Sequence, residues 1–139
     1  MLDPQNGYFR ISDKLIVGIG SSFDDIYKLA PSGKLLDHQN GYKWIYLNEI
    51  QMDQFYFDIG ICYFNDRLFC IDFCFSESQQ QNISWDDWNE PDMLKWKNIY
   101  ERWLTHSLGE KRSFHWGKIG AFYDPRSGTT SISIQYKKG

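Results

Sequence analysis

Apolar residues recur along this chain with two periods, and each change of period marks an element. In "FYFDIGICYFNDRLFCIDFCF" (55–75), two β-rich apolar runs flank Asn65-Asp66, a pair with hairpin-turn chemistry. "YKWIYLNEI" (42–50) alternates through Trp44 and Tyr46, and "GYFRISDKLIVGIG" (7–20) reads as two short strands around a Ser12-Asp13 turn. In "FHWGKIGAFYDPRSGTTSISIQY" (114–136), "DPRSG" supplies a second hairpin loop, and Ile132, Ile134 and Tyr136 alternate with Ser131, Ser133 and Gln135.

The period changes to three and four at Trp85, Trp88, Trp96, Ile99, Tyr100, Trp103, Leu104 and Leu108, which predicts a helix over residues 85–108, stopped by Gly109. Pro91 fits poorly inside it, so the expected form is a short first turn, a break, and a restart with Pro91 at the first helical position. "SSFDDIYKLAP" (21–31) predicts a short helix capped by Ser21 or Ser22, with Asp24 and Asp25 in its first turn and Pro31 beyond its end. "SGKLLDHQNG" (32–41) reads as a loop. The order ββ-α-βββ-α-ββ contains hairpins rather than crossovers. It predicts a single α+β domain over residues 1–139: an antiparallel sheet of six or seven strands with two helices packed on it.

The register of the 55–75 hairpin decides which side chains meet. A two-residue loop sets Phe64 opposite Arg67 and sends Asp58 and Asp72 to opposite faces. A three-residue loop sets Phe64 opposite Leu68 and unites Asp58, Cys62, Cys70, Asp72 and Cys74 on one face. Both remain open from the pattern.

Composition adds an aromatic excess. Phe, Tyr and Trp make up 18% of the 139 residues, more than a core of this size ordinarily carries, which leaves a few for a surface. Net charge is −3, yet residues 1–94 carry 15 acids against 6 bases, while residues 95–139 carry 9 bases against 3 acids. Between Leu68 and Leu94 there are six acids and no base. That asymmetry speaks to partners and association rate rather than to fold. A nucleic-acid binder would not carry such a stretch, so no direct nucleic-acid partner is expected. No run approaches 18 apolar residues, and no basic segment followed by an apolar run opens the chain, so neither a membrane span nor a secretory signal is expected. Three cysteines without CxxC spacing fit reduced thiols in the cytoplasm.

Candidate chemistry is sparse. His38, His106 and His115 accompany no nucleophile motif, and "GIGSS" (18–22) lacks the rest of a phosphate-binding loop. Asp58 and Asp72 can form an acid–base pair or line a Trp-bordered cleft for a small ligand under the three-residue register, where the cysteines could also approach a metal. Exposed strand carboxylates and buried unpaired cysteines account for the same residues without function, and no metal or cofactor is expected. The segment "SWDDWNEPD" (84–92) is richer. Ser84 and Asp87 have the form of a capping box, which explains Asp86 and Asp87. Glu90 and Asp92 beside Trp85 and Trp88 suit a basic partner steered by charge and held by packing. With Glu77, these form the expected partner-binding set: Glu77, Trp85, Asp86, Asp87, Trp88, Glu90 and Asp92.

The closing run 114–136, "LIVGIGSSFDDIYK" (15–28) and "WDDWNEPDMLKWKNIYERWL" (85–104) together resemble a layout found among small bacterial proteins. Several of these are taken to be immunity proteins of polymorphic-toxin or contact-dependent growth inhibition systems. The resemblance spans most of the chain as an order of motifs, without a diagnostic motif. It implies a non-enzymatic cytoplasmic protein that binds and neutralises a toxin domain, often a basic nuclease, and it transfers no site residues. Two other readings stand beside it: a small-ligand protein or hydrolase using Asp58 and Asp72, and a subunit of a larger assembly with an exposed apolar patch.

Overall fold

The computed structural model describes residues 2–29, 34–37, 40–52, 55–76, 90–126 and 129–137. Among these the order is β1 (Phe9–Arg10), β2 (Ile16–Val17), α1 (Phe23–Leu29), β3 (Lys34–Asp37), β4 (Tyr42–Met52), β5 (Phe55–Phe64), β6 (Arg67–Ser76), α2 (Glu90–Leu108), β7 (Ser113–Phe114), β8 (Gly117–Asp124) and β9 (Thr129–Tyr136). Seven strands form one antiparallel sheet, β3-β4-β5-β6-β9-β8-β7. The α+β class and the strand number agree with the sequence reading, but the membership differs. β1 and β2 pair apart from the large sheet. Their places are taken by β7 and by β3, which lies in the stretch read as a loop. β3 is a four-residue edge strand whose partners, Lys43 to Tyr46 on β4, supply the order that its own sequence lacks.

The core lies on one sheet face. Ile45, Leu47, Phe57, Ile59, Ile61, Ile71, Phe73, Phe75, Ile132 and Ile134 point into it, and every one is buried. The β1–β2 ribbon and α1 cover it at one end through Phe9, Val17, Phe23 and Ile26. Phe9 meets Phe73 at 5.0 Å between ring centroids, and Phe23 meets Tyr63 edge-on at 5.6 Å. α2 covers the other end, with Leu104 fully buried and Trp103 against Phe75 at 5.2 Å. Each such side chain contributes about 1.5–3 kcal/mol by burial. Among the described residues nine aromatics are buried in this core, and Phe55, Trp96, Trp103 and Phe114 pack against it half-buried.

Local chemistry fixes the ends. Ser22 caps α1, its hydroxyl accepting the Asp25 N–H at 3.2 Å, while Ser21 accepts the Gly18 N–H at 3.0 Å. α2 begins at Glu90, so Pro91 lies in its first turn, where its missing N–H has no intrahelical acceptor to lose. The proposed break before it lies outside the described residues. At the far end Gly109 takes φ +75° and donates to Thr105 O at 2.8 Å. Arg112 then donates to Gly109 O at 2.6 Å and to Thr105 Oγ1 at 2.8 Å, placing positive charge at the helix C-terminus. The N-terminal segment is pinned to the sheet by Trp116, whose Nε1 donates to Pro4 O at 2.8 Å, and by Tyr136, whose hydroxyl donates to Gly7 O at 2.7 Å.

Candidate functional site

The β5–β6 hairpin combines the two registers that the pattern left open. Its loop has two residues, Asn65 and Asp66, both at positive φ (48° and 67°), with Phe64 opposite Arg67. Between the Tyr63–Leu68 and Cys62–Cys70 pairs, however, β6 carries one extra residue, Phe69. That bulge shifts the rest of the hairpin by one position. Asp58, Cys62, Cys70, Asp72 and Cys74 consequently share the face away from the core, and Phe69 is left 42% exposed. Turn chemistry alone therefore did not determine the face.

On this second face the sheet makes a shallow trough. One row runs across four strands beside Tyr46: Gly60, Asp72, Ser133 and Gly120 are successive cross-strand neighbours. The two glycines mark where rings lie on the sheet. A Cβ on Gly60 would sit 3.2 Å from both the Trp44 and Tyr46 rings, and one on Gly120 would sit 3.1 Å from the Phe122 ring. Trp44 and Tyr46 stack on each other, 5.6 Å apart and 6° from parallel, forming one wall. Phe122, 51% exposed, stands on the far side. The cavity beside the Trp44–Tyr46 wall encloses about 320 Å³ and includes Asp58, Asp72, Cys74 and Ser131.

Asp72 is the chemically unusual residue. Ser133 hydrogen-bonds to its carboxylate, but Oδ1 is buried with no hydrogen-bond partner among the described residues. Burial raises its pKa above the ordinary carboxylate value, and the Ser133 bond offsets part of that rise. Burial also raises the Tyr46 phenol, with Cys62 and Asp72 adding to the effect, so the wall and the carboxylate sense each other. Asp58 has a structural task. It accepts the Glu49 N–H at 2.9 Å, and Glu49 takes φ +56° where β4 slips register between Leu47 and Ile50.

The cysteines are thiols. Cys62 and Cys70 are direct cross-strand partners and both are buried. Their mutual hydrogen bond holds the Cys62 thiol down and the Cys70 thiol up, and burial raises both. Burial pushes Cys74 up to about 11, with Asp58 adding to it. Among the described residues no group of three or more His, Cys, Asp and Glu could hold a metal ion, and no helix is long and apolar enough to cross a membrane. His106 and His115 are exposed and lie outside the trough lining.

Of the expected partner-binding set, Glu77, Trp85, Asp86, Asp87 and Trp88 lie outside the described residues. Glu90 and Asp92 fall at the start of α2, on the helix that packs over the core face rather than the trough. The structure does bring together Asp58 and Asp72, the carboxylates behind the small-ligand reading, and sets Trp44 and Tyr46 beside them. Sequence reasoning missed Gly60 and Gly120. Their signal was present, since a glycine in a strand interior often marks a close approach. A second cavity, about 640 Å³, opens at the hairpin end between Ile19, Phe64, Leu68 and Phe69, with Arg67 and Lys137 among its lining.

No family model and no curated protein matches this sequence. A solved structure does: a chain of "Rhs1-CT in complex with cognate immunity protein RhsI1" superposes with a TM-score of 0.60 at 16% identity, over 98% of this chain and 86% of that one. The likeness is one of fold. It agrees with the motif-order resemblance to polymorphic-toxin immunity proteins.

Proposed function

We propose that this chain is a non-enzymatic immunity protein that binds a toxin domain and blocks it. The observation that carries the reading is the fold match over nearly the whole chain to a chain of a toxin–immunity complex. The charge layout supports it from the sequence side, because six acids without a base between Leu68 and Leu94 suit a basic toxin domain. In this reading Glu77, Trp85, Asp86, Asp87, Trp88, Glu90 and Asp92 contribute contacts, and the protein acts in the cytoplasm, where it meets an incoming toxin. The test is capture with this chain as bait in lysate of its source cells, followed by co-expression of the captured domain. Relief of that domain's toxicity by this chain supports the reading; persistent toxicity despite binding rejects it.

The small-ligand or hydrolase reading has one observation in its favour, the shared face of Asp58 and Asp72. They are diagonal neighbours across β5 and β6, a relation that ordinarily sets residues about 7–8 Å apart and leaves paired carboxylate chemistry open. Against it, the Asp58 carboxylate already serves the Glu49 bulge. Replacing Asp58 with Asn separates the two. A hydrolase would lose activity, whereas an immunity protein would keep toxin protection.

A further inference from the structure

We propose that the trough receives an arginine side chain of the partner protein, its guanidinium meeting Asp72 and its plane lying against the Trp44–Tyr46 wall. The identity of the partner rests on the immunity reading; the chemistry of the guest rests on the trough.

The starting point is an unmet acceptor. A buried carboxylate oxygen without a donor is expensive to maintain, and native proteins rarely keep one without a reason. Asp72 sits mid-sheet between Gly60 on β5 and Ser133 on β9, with Oδ1 unpartnered among the described residues. Ser133 engages the carboxylate but leaves its charge uncompensated. Among the described residues neither ion pair, Arg10–Asp13 nor Arg112–Glu101, reaches it. Oδ1 itself has no accessible surface, but Asp72 is half-buried and lines the cavity, so a guest meets its carboxylate from the trough side. Such a guest must donate hydrogen bonds, and it is held most strongly if it is also a cation.

The walls specify the kind of cation. Glycines at 60 and 120 let the Trp44–Tyr46 rings and the Phe122 ring lie low on either side of the Asp72–Ser133 pair. Gly60 and Gly120 are three strands apart, about 14 Å at ordinary strand spacing, so the rings seated on them flank the Asp72–Ser133 pair. Nearly parallel rings of Trp and Tyr present the face that a cation prefers. A guanidinium is planar, weakly hydrated and forked, so it can stack on a ring edge-to-edge with a carboxylate contact; an ammonium can do neither as well. The acidic balance of residues 1–94 draws in the same sign of partner.

The test uses the full chain and two probes. The first is Nα-acetyl-arginine methylamide, titrated while the Trp44 indole signal is followed by NMR, with the citrulline analogue as the neutral isostere. The expected result is a saturable shift in the millimolar range for the arginine compound, a response at least tenfold weaker for citrulline, and loss of the shift in Asp72→Asn. Equal responses to the two compounds, an unchanged response in Asp72→Asn, or no response of Trp44 overturns the proposal. Asp72→Asn keeps the residue's volume and removes a buried charge, so unfolding does not explain a loss. The second probe is the toxin domain captured as above. Asp72→Asn and Trp44→Ala are expected to weaken its binding on the order of a hundredfold. If both variants bind and protect like the original chain, the immunity reading stands and the arginine site falls. If the arginine compound binds as expected but no toxin is neutralised, the site stands and the immunity reading falls.

Discussion

The Tyr100 hydroxyl occupies both backbone groups of Phe75, accepting its N–H at 3.1 Å and donating to its C=O at 3.0 Å. The last β6–β9 partners are Phe73 and Ile132, so Phe75 lies two residues beyond the paired stretch. A helix side chain thus replaces a missing strand, and the two rings pack at 4.8 Å while it does so. Replacing Tyr100 with Phe keeps the ring and removes the oxygen, leaving a buried donor and acceptor without partners. A loss of about 1–3 kcal/mol is expected, read as a lower urea midpoint with the slope unchanged.

Asp72 behaves in the opposite sense. Its pKa is raised in the folded protein, so folding binds its proton more tightly than the unfolded chain does. The contribution to stability is fully present below the ordinary value of 3.8 and is lost as pH rises through the shifted one. Asp72→Asn should therefore fold more stably at neutral pH, by about 1–2 kcal/mol. The difference should shrink as pH is lowered toward 3.8, in urea titrations at several pH values. A residue kept at the expense of stability is a candidate for function, which is why the trough is built around it.

Thiol chemistry gives an independent check on how closed the second sheet face is. Cys62 and Cys70 are buried and Cys74 is half-buried with its thiol pushed up to about 11. A thiolate-selective reagent at pH 8 should label the native chain at least tenfold more slowly than the unfolded chain, which should label at all three positions. Rapid native labelling of Cys62 or Cys70 would mean that the second sheet face is more open than described.

Much of this architecture was legible from the pattern. Asn65-Asp66 announced its turn, Ser22 its cap, and Gly109 its stop, because each is dictated by backbone conformation within a few residues. What could not be read depended on partners far along the chain. The Phe69 bulge is settled by how β6 lies against both β5 and β9, and β3 is ordered by β4 rather than by its own four residues. The trough was half visible. Asp58 and Asp72 stand out in the sequence as a pair that one register unites, but the strand glycines that seat Trp44, Tyr46 and Phe122 gain meaning only once the strands are side by side.

The acidic segment carries a kinetic expectation of its own. Reversing charge at Asp86, Asp87, Glu90 and Asp92 should slow association with a basic toxin domain by tenfold or more at low salt, and flatten its salt dependence. Stopped-flow association at several ionic strengths measures both. Unchanged rates would remove residues 77–92 from the interface and leave the trough as the place of contact.

Toxin neutralisation is measured by growth of cells expressing the captured toxin domain, with and without this chain, alongside binding of the two purified proteins. An immunity protein forms a stoichiometric complex and restores growth in proportion to the amount of this chain present. A tight complex that leaves the toxin fully active, or restored growth without any complex, would contradict it.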